Sequence, residues 1–279
     1  QYLVIGPNKF FVNYISGVLP DLDVENVKQL TYEELCAEFL NENIKLIAED
    51  KKLIQSIVNE NLLKYEKFKV SMKFKEAIDK FIKEMKENII PEKGIEIKGY
   101  EVITSNVIKN IYFSIEELSN YDNIKTRLNR TNLMLSKYIE DNYDVIMAKV
   151  KEQYQKNINI VSKELNKNEL EKISFIEKEL KNGCKKYVKK YFSSLIPSIL
   201  NVYITFLNNI KKYISFDFFD NIREKVQKNI SNIKNRNVEF EDLSALIYLK
   251  SKILGIEQYD QYRQVAIDEA QDFGDFSFY

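Results

Sequence analysis

The chain of 279 residues contains no histidine and no tryptophan, and only two cysteines, four prolines and seven glycines. Without histidine, Ser-His-Asp and Cys-His catalysis, His-based metal sites and the usual neutral-pH proton shuttle are excluded. Cys36 and Cys184 form no CxxC pair, so neither zinc nor a disulfide framework is indicated; both read as free thiols in a reducing compartment, Cys36 as a small core residue. Few glycines and prolines leave few obligatory turns, which favours long helices over a many-stranded sheet. No apolar run reaches about 18 residues and no charged-apolar-small leader opens the chain, so a soluble, cytoplasmic protein with no membrane partner is expected. Net charge is lacking as well. The 42 basic and 42 acidic residues balance, and no global field points to nucleic acid or membrane.

What is present begins with short apolar runs at the two ends. Tyr2 to Ile5, closed by Gly6-Pro7, has the form of a buried parallel strand. A helix then fits Asn8 to Leu19, with Phe11, Tyr14, Ile15 and Val18 on one face and Pro20 beyond it. Val24 to Leu30 reads as a second strand. Thr31-Tyr32-Glu33-Glu34 opens the next helix as a capping box. Near the other end a helix from about Asp242 to Leu254 stops at Gly255, and Gln264 to Ile267 follows as a buried strand. These pieces predict an α/β, predominantly helical fold: a partial parallel sheet interrupted by a large helical insertion. The boundaries expected are 1–36 with 239–279 for the sheet domain, 37–138 for a helical insertion and 139–238 for a long arm.

Within the insertion, Gly94 to Ile103 alternates with period two around a glycine and predicts a small hairpin. Ser114-Ile115-Glu116-Glu117 has the spacing of another capping box. Apolar residues recur in steps of three and four from Ile139 through Tyr143, Ile146, Val150, Tyr154, Ile158, Val161 and Leu165, continue at Leu170, Ile173, Ile176 and Leu180, and resume from Val188 to Ile210. That spacing predicts long antiparallel helices with a coiled-coil-like seam; forty helical residues would reach roughly 60 Å. The Tyr and Phe side chains of both series read as core.

The stretch Val265-Ala266-Ile267-Asp268-Glu269-Ala270-Gln271-Asp272 carries the chemistry. An apolar strand ending in Asp268-Glu269 sets two carboxylates at the carboxyl edge of a parallel sheet, where open α/β folds bind ligands. In phosphoryl chemistry one such carboxylate holds Mg²⁺, a hard cation that wants oxygen, and the next orients and deprotonates the attacking water. A bare Asp-Glu pair is equally the end of a strand and the start of a helix, where acids suit the dipole.

The whole string resembles motif II, the Walker B element, of UvrD/Rep-type superfamily 1 helicases. That resemblance implies Asp268 as the Mg²⁺ ligand, Glu269 as the general base, Gln271 as a link from the γ-phosphate to the nucleic-acid side, and Asp272 as a support of that network. Gly6-Pro7-Asn8-Lys9 resembles motif Ia and Val27-Lys28-Gln29-Leu30-Thr31 motif Ib, which implies nucleic-acid contacts at Asn8, Lys9 and Thr31. Read alone, Thr31 is a helix cap and Lys9 a solvated charge, and Gly6-Pro7 departs from the usual Thr-rich approach. Gly6-Pro7-Asn8 followed by Phe11-Val12-Asn13-Tyr14-Ile15 and Val18-Leu19-Pro20, and Glu241-Asp242-Leu243 ahead of a helix, look closest to the HelD-like branch, whose members are helicase-related ATPases that act on RNA polymerase and carry a long helical arm in their first motor domain. The resemblance covers about the first 35 and last 40 residues, and implies a partial RecA-like motor domain spanning motifs Ia to II.

A phosphate cradle of the form GxxxxGK[ST] is missing, since the sequence contains no Gly-Lys pair. The abrupt apolar start at Gln1 and the ending Phe276-Ser277-Phe278-Tyr279 lead to the expectation of a piece of a longer protein, inactive alone and with no nucleotide bound, whose parent uses ATP and Mg²⁺. From Glu140 to Arg236 there are 19 basic against 12 acidic residues, a surplus of seven positive charges. The densest basic run, Lys185, Lys186, Lys189 and Lys190, falls near the break between the two apolar series. It reads as a solvated helix face or as an arm tip that meets single-stranded DNA, other nucleic acid or RNA polymerase. The competing class is a non-enzymatic helical interaction module; a Mg²⁺-dependent nuclease is disfavoured by the single acidic cluster.

Overall fold

The computed structural model describes residues 2–18, 27–47, 60–115, 123–158, 163–256 and 262–278. About 70% of this is helical, in 12 helices beside a small parallel sheet, so helices carry most of the core. No described helix is long and apolar enough to cross a membrane.

β1 (Tyr2–Gly6) buries Leu3 and Ile5. α1 (Lys9–Val18) follows, with Asn8 as its cap: the Phe11 N–H donates to Asn8 Oδ1 at 2.9 Å. β2 (Val27–Thr31) pairs parallel with β1, and α2 (Tyr32–Leu40) leaves directly from Thr31. Residues 24–26 of the expected second strand, and Leu19 and Pro20 beyond α1, lie outside the described residues. The expected capping box is present. Thr31 Oγ1 accepts the Glu34 N–H at 3.2 Å, and Glu34 Oε2 accepts the Thr31 N–H at 3.0 Å. Thr31 is buried as well. Thr31→Ala should therefore cost about 1 kcal/mol in urea denaturation, the usual loss for a cap; an unchanged midpoint would show that the box contributes nothing.

β3 (Lys45–Leu46) precedes two helices, α3 (Glu60–Lys69) and α4 (Met72–Asn88), which meet at a corner at Val70-Ser71. The expected hairpin is formed by β4 (Ile95–Ile97) and β5 (Tyr100–Ile103), antiparallel. Lys98 and Gly99 have φ of 54° and 89°, the pair of positive values that a two-residue turn needs to match strand twist. Then come α5 (Ser105–Ser114), α6 (Ile124–Asp141), α7 (Tyr143–Ile158), α8 (Lys163–Lys181) and α9 (Lys185–Ser193). Ser114 ends α5 and donates its Oγ–H to Ile111 O at 2.8 Å, while Glu116 and Glu117 of the expected box lie outside the described residues. The chain closes with α10 (Ile199–Asn209), α11 (Phe216–Lys234), β6 (Asn237–Val238), α12 (Leu243–Ile253) and β7 (Gln264–Ile267). β3 and β6 form a short parallel pair of their own.

Two compact units result, Gln1–Lys83 with Ser198–Tyr279, and Glu84–Pro197. In the first, α12 is buried on most of its surface and packs on α2 and α10. Phe74, Phe206 and Phe81 form an aromatic file, with centroids 5.4 Å and 5.5 Å apart. In the second, Ile108, Leu128, Leu135, Ile139, Val150 and Leu180 are fully buried.

Three expectations are corrected. The apolar series from Ile139 is divided among α6, α7 and α8, and the longest described helices have 19 residues, about 28 Å at 1.5 Å per residue. Asn142 and the left-handed pair Gly183-Cys184 (φ 63° and 50°) break the continuity. α7 and α8 do run antiparallel, since Tyr143 at the start of one donates its O–H to Glu177 near the end of the other at 3.1 Å. Of the second series, α9 packs on α6 and β4, and α10 on α11 and α12. Leu170 is exposed; the side chains of Ile158, Val161 and Leu165 lie outside the described residues.

The second correction concerns β7. It is not a buried strand: Gln264, Val265 and Ala266 are exposed, because the sheet has the order β2-β1-β7 and β7 has a described neighbour on one side only. The third concerns α1. Tyr14 is 70% exposed and Phe10 89%, since a three-stranded sheet covers only the side of α1 that carries Phe11 and Ile15.

Candidate functional site

All three strands of the main sheet are parallel, so their carboxyl ends share one edge. The register sets Gly6 beside Thr31 and Ile5 beside Ile267. Asp268, one residue past β7, continues the ladder: its N–H donates to Ile5 O at 2.9 Å. Thr31, Gly6 and Asp268 thus form a row across the sheet edge where open parallel sheets present ligand-binding groups.

Asp268 is half-buried. Glu269, exposed, holds a left-handed backbone (φ 54°, ψ 38°) and begins a 3-10 turn, Ala270–Asp272. A non-glycine residue in that region carries strain, which points to a constrained position. The Gln271 side-chain amide donates to the Glu269 carboxylate. The Asp272 side chain lies outside the described residues.

On the other side of Gly6, Asn8, Lys9 and Thr31 border one open cavity of about 450 Å³, together with Glu34. Lys9 Nζ stands 3.2 Å from Glu34 Oε1. The Thr31 N–H, and after it the Lys9 ammonium, hold the Glu34 carboxyl below the usual carboxylate range. The three residues expected to touch nucleic acid are therefore neighbours, yet each also serves the local structure. Asn8 and Thr31 cap helices, and Lys9 pairs with Glu34.

The four lysines of the basic run lie on the other unit, on α9, all exposed. Both cysteines are free and buried, and burial pushes each thiol up to about 12.

Among the described residues no group of three or more Cys, Asp or Glu side chains could hold a metal ion. The donor set at the sheet edge, one half-buried carboxylate with a second beside it, fits a Mg²⁺ ion only where phosphate oxygens and water complete its shell, as they do in nucleotide sites.

A cluster that the sequence did not announce lies in the core of the first unit. Lys69, with no exposed surface, donates to Glu239 Oε2 at 2.6 Å and Asp242 Oδ1 at 2.9 Å. Asp242 also accepts from Tyr203 Oη and Asn229 Nδ2, both at 2.9 Å, and from the Glu239 N–H at 3.0 Å. Its one local signal is the spacing of Glu239 and Asp242 ahead of an apolar helix, a capping box that the structure contains.

No protein-family model matches this chain, and no curated protein matches it.

Proposed function

We propose that this chain is the motif Ia to motif II portion of a superfamily 1 helicase-like motor, a partial RecA-like sheet carrying the Walker B side of an ATP site. The α7–α8 pair belongs, in this reading, to a coiled-coil-like helical insertion. The observation that supports it most is the row Thr31–Gly6–Asp268 at one carboxyl edge, with the string Asp268-Glu269-Ala270-Gln271-Asp272 starting there. Bound with ATP, Mg²⁺ would supply charge neutralisation for the transferring phosphoryl group.

In this reading Asp268 would hold the ion through its carboxylate. Glu269 would take the proton of the attacking water, and Gln271, which already donates to that carboxylate, would orient it and link it to the γ-phosphate. Asp272 supports the network. Asn8, Lys9 and Thr31 would meet single-stranded nucleic acid along the same edge. The work of the parent is translocation on nucleic acid or remodelling of an RNA polymerase complex. With no Gly-Lys loop in its sequence, the chain by itself cannot cradle the phosphates.

The test is ATP hydrolysis, with and without single-stranded DNA. The chain alone should show no turnover above background. In the polypeptide that joins it to a phosphate-binding loop, Glu269→Gln should lower kcat about a hundredfold, the low end of a general-base contribution, with an unchanged melting temperature. Turnover by the isolated chain that Glu269→Gln removes, or a parent rate indifferent to this change, would overturn the assignment.

A further inference from the structure

The structure assigns a second, separate binding surface: the outward face of α9, through Lys186, Lys189 and Lys190 with Lys185 beside them, is a docking surface for the phosphate backbone of nucleic acid. The inference rests on charge and burial alone, and stands whether or not the chain belongs to a motor.

α9 places four exposed lysines and no acid in nine residues. Lys185 and Lys189 are an i,i+4 pair, as are Lys186 and Lys190. Such pairs face one another on a helix and repel when their charges are alike. Elsewhere in the chain lysines are neutralised at this spacing, as Lys75 is by Asp79, Lys156 by Glu152 and Lys181 by Glu177. Among the described residues, the counter-charge that α9 meets is Glu140, 3.3 Å from Lys185. Among the described residues, Lys186, Lys189 and Lys190 have no carboxylate within 4.0 Å. The helix is held in place nonetheless. Val188 and Phe192 are buried, and the Tyr191 O–H donates to Lys93 O at 3.2 Å. A fixed helix thus presents a row of point charges that no described carboxylate neutralises.

The character of that row selects the partner. A helix that lies on a membrane needs a free apolar face to insert, whereas the apolar face of α9 is already committed to the core. Lysines are flexible point charges suited to phosphate, without the fork that reads a carboxylate in pairs. Successive turns advance about 6 Å over four residues, a step close to two phosphates of one strand at about 3.4 Å each. A repeating polyanion satisfies such a row; a single phosphate does not.

The experiment is fluorescence anisotropy of a labelled oligo(dT) strand titrated with this chain. Neutralising three phosphates predicts a log–log salt slope of about −2, so Kd should weaken about twentyfold between 50 and 200 mM salt. The triple variant Lys186→Glu/Lys189→Glu/Lys190→Glu should weaken binding at least about tenfold at low salt with an unchanged circular-dichroism melt, while the triple arginine variant should retain it. If the glutamate variant unfolds, Lys189→Gln alone should still weaken binding about threefold. Binding that ignores these lysines, absence of binding at low salt, or capture by phosphatidylserine vesicles in place of the oligonucleotide would each overturn the assignment.

Discussion

Asp242→Ala should destabilise the protein by about 3–5 kcal/mol, the loss associated with breaking a buried ion pair from one side. The aspartate is fully buried and accepts from Lys69, Tyr203, Asn229 and the Glu239 backbone. Truncation leaves those donors short of an acceptor where water does not reach, and each orphaned group costs about 1–3 kcal/mol. The residues belong to α3, α10, α11 and the entry to α12, so one side chain ties four segments of the first unit together. Urea denaturation measures the loss; a value under about 1 kcal/mol would mean that the cluster is hydrated.

The same cluster sets a pH dependence. Burial disfavours the Asp242 charge, but the Lys69 ammonium and the hydrogen bonds outweigh it, and the net direction is downward. A lowered carboxylate contributes stability that is full above its unfolded value, about 3.9, and is lost as pH falls through the lower folded value. Lys69 is also opposed by burial, yet Asp242 and Glu239 carry it well above its ordinary value. Its contribution is full below about 10.4 and is lost only as pH rises past the folded value. The gap between the parent protein and Asp242→Ala should therefore stay flat between about pH 5 and 10 and narrow in acid.

Phe276→Ala should be comparably severe, about 3–5 kcal/mol for an aromatic ring removed from a closed site. Phe276 is 1% exposed, its ring meets Tyr248 edge-on at 5.5 Å, and its N–H donates to Val70 O at 3.1 Å. Gly274 fits only because it lacks a side chain: a Cβ there would lie 2.4 Å from Val70 Cβ. Phe273 packs on Tyr32 at 5.0 Å, and Ser277 closes a hydroxyl chain through Ser244 to Tyr32. The segment after the acidic string is thereby docked on α2, α12 and the α3–α4 corner. For a unit of this size a thermal scan should fall by roughly 10 °C, and the turn carrying Glu269 should become protease-sensitive. A shift of only a degree or two would show that the segment is not docked.

The sequence revealed the parts of this fold that local chemistry governs. β1 and β7 were legible because apolar runs ended at Gly6-Pro7 and at Asp268; the capping box at Thr31 followed from residue type, and the hairpin within Gly94 to Ile103 from period-two alternation around a glycine. The three-and-four spacing predicts helices longer than those that form, since the period continues across breaks at Asn142 and Gly183-Cys184 that only backbone geometry reveals. The exposure of β7 depends on how many strands join the sheet, which one strand's residues do not encode. At the candidate site, the position of Asp268 past an apolar run was visible, whereas the left-handed Glu269 was not. The Lys69 cluster was hidden for another reason: its partners lie about 170 residues away in the chain, and a lysine in a polar helix carries no sign of burial.

The register between Leu3 and Val265 joins opposite ends of the sequence, and this bears on the order of assembly. The helical unit formed by Glu84–Pro197 is continuous in the chain and can condense from local contacts as soon as it leaves the ribosome. The pairing of β1 with β7 must wait, because β7 arrives only after the intervening polypeptide has been made and looped back, at an entropic cost that the local β1–β2 pairing avoids. The edge that carries Asp268 therefore takes shape only after both ends of this sequence are present, later than the helical unit between them.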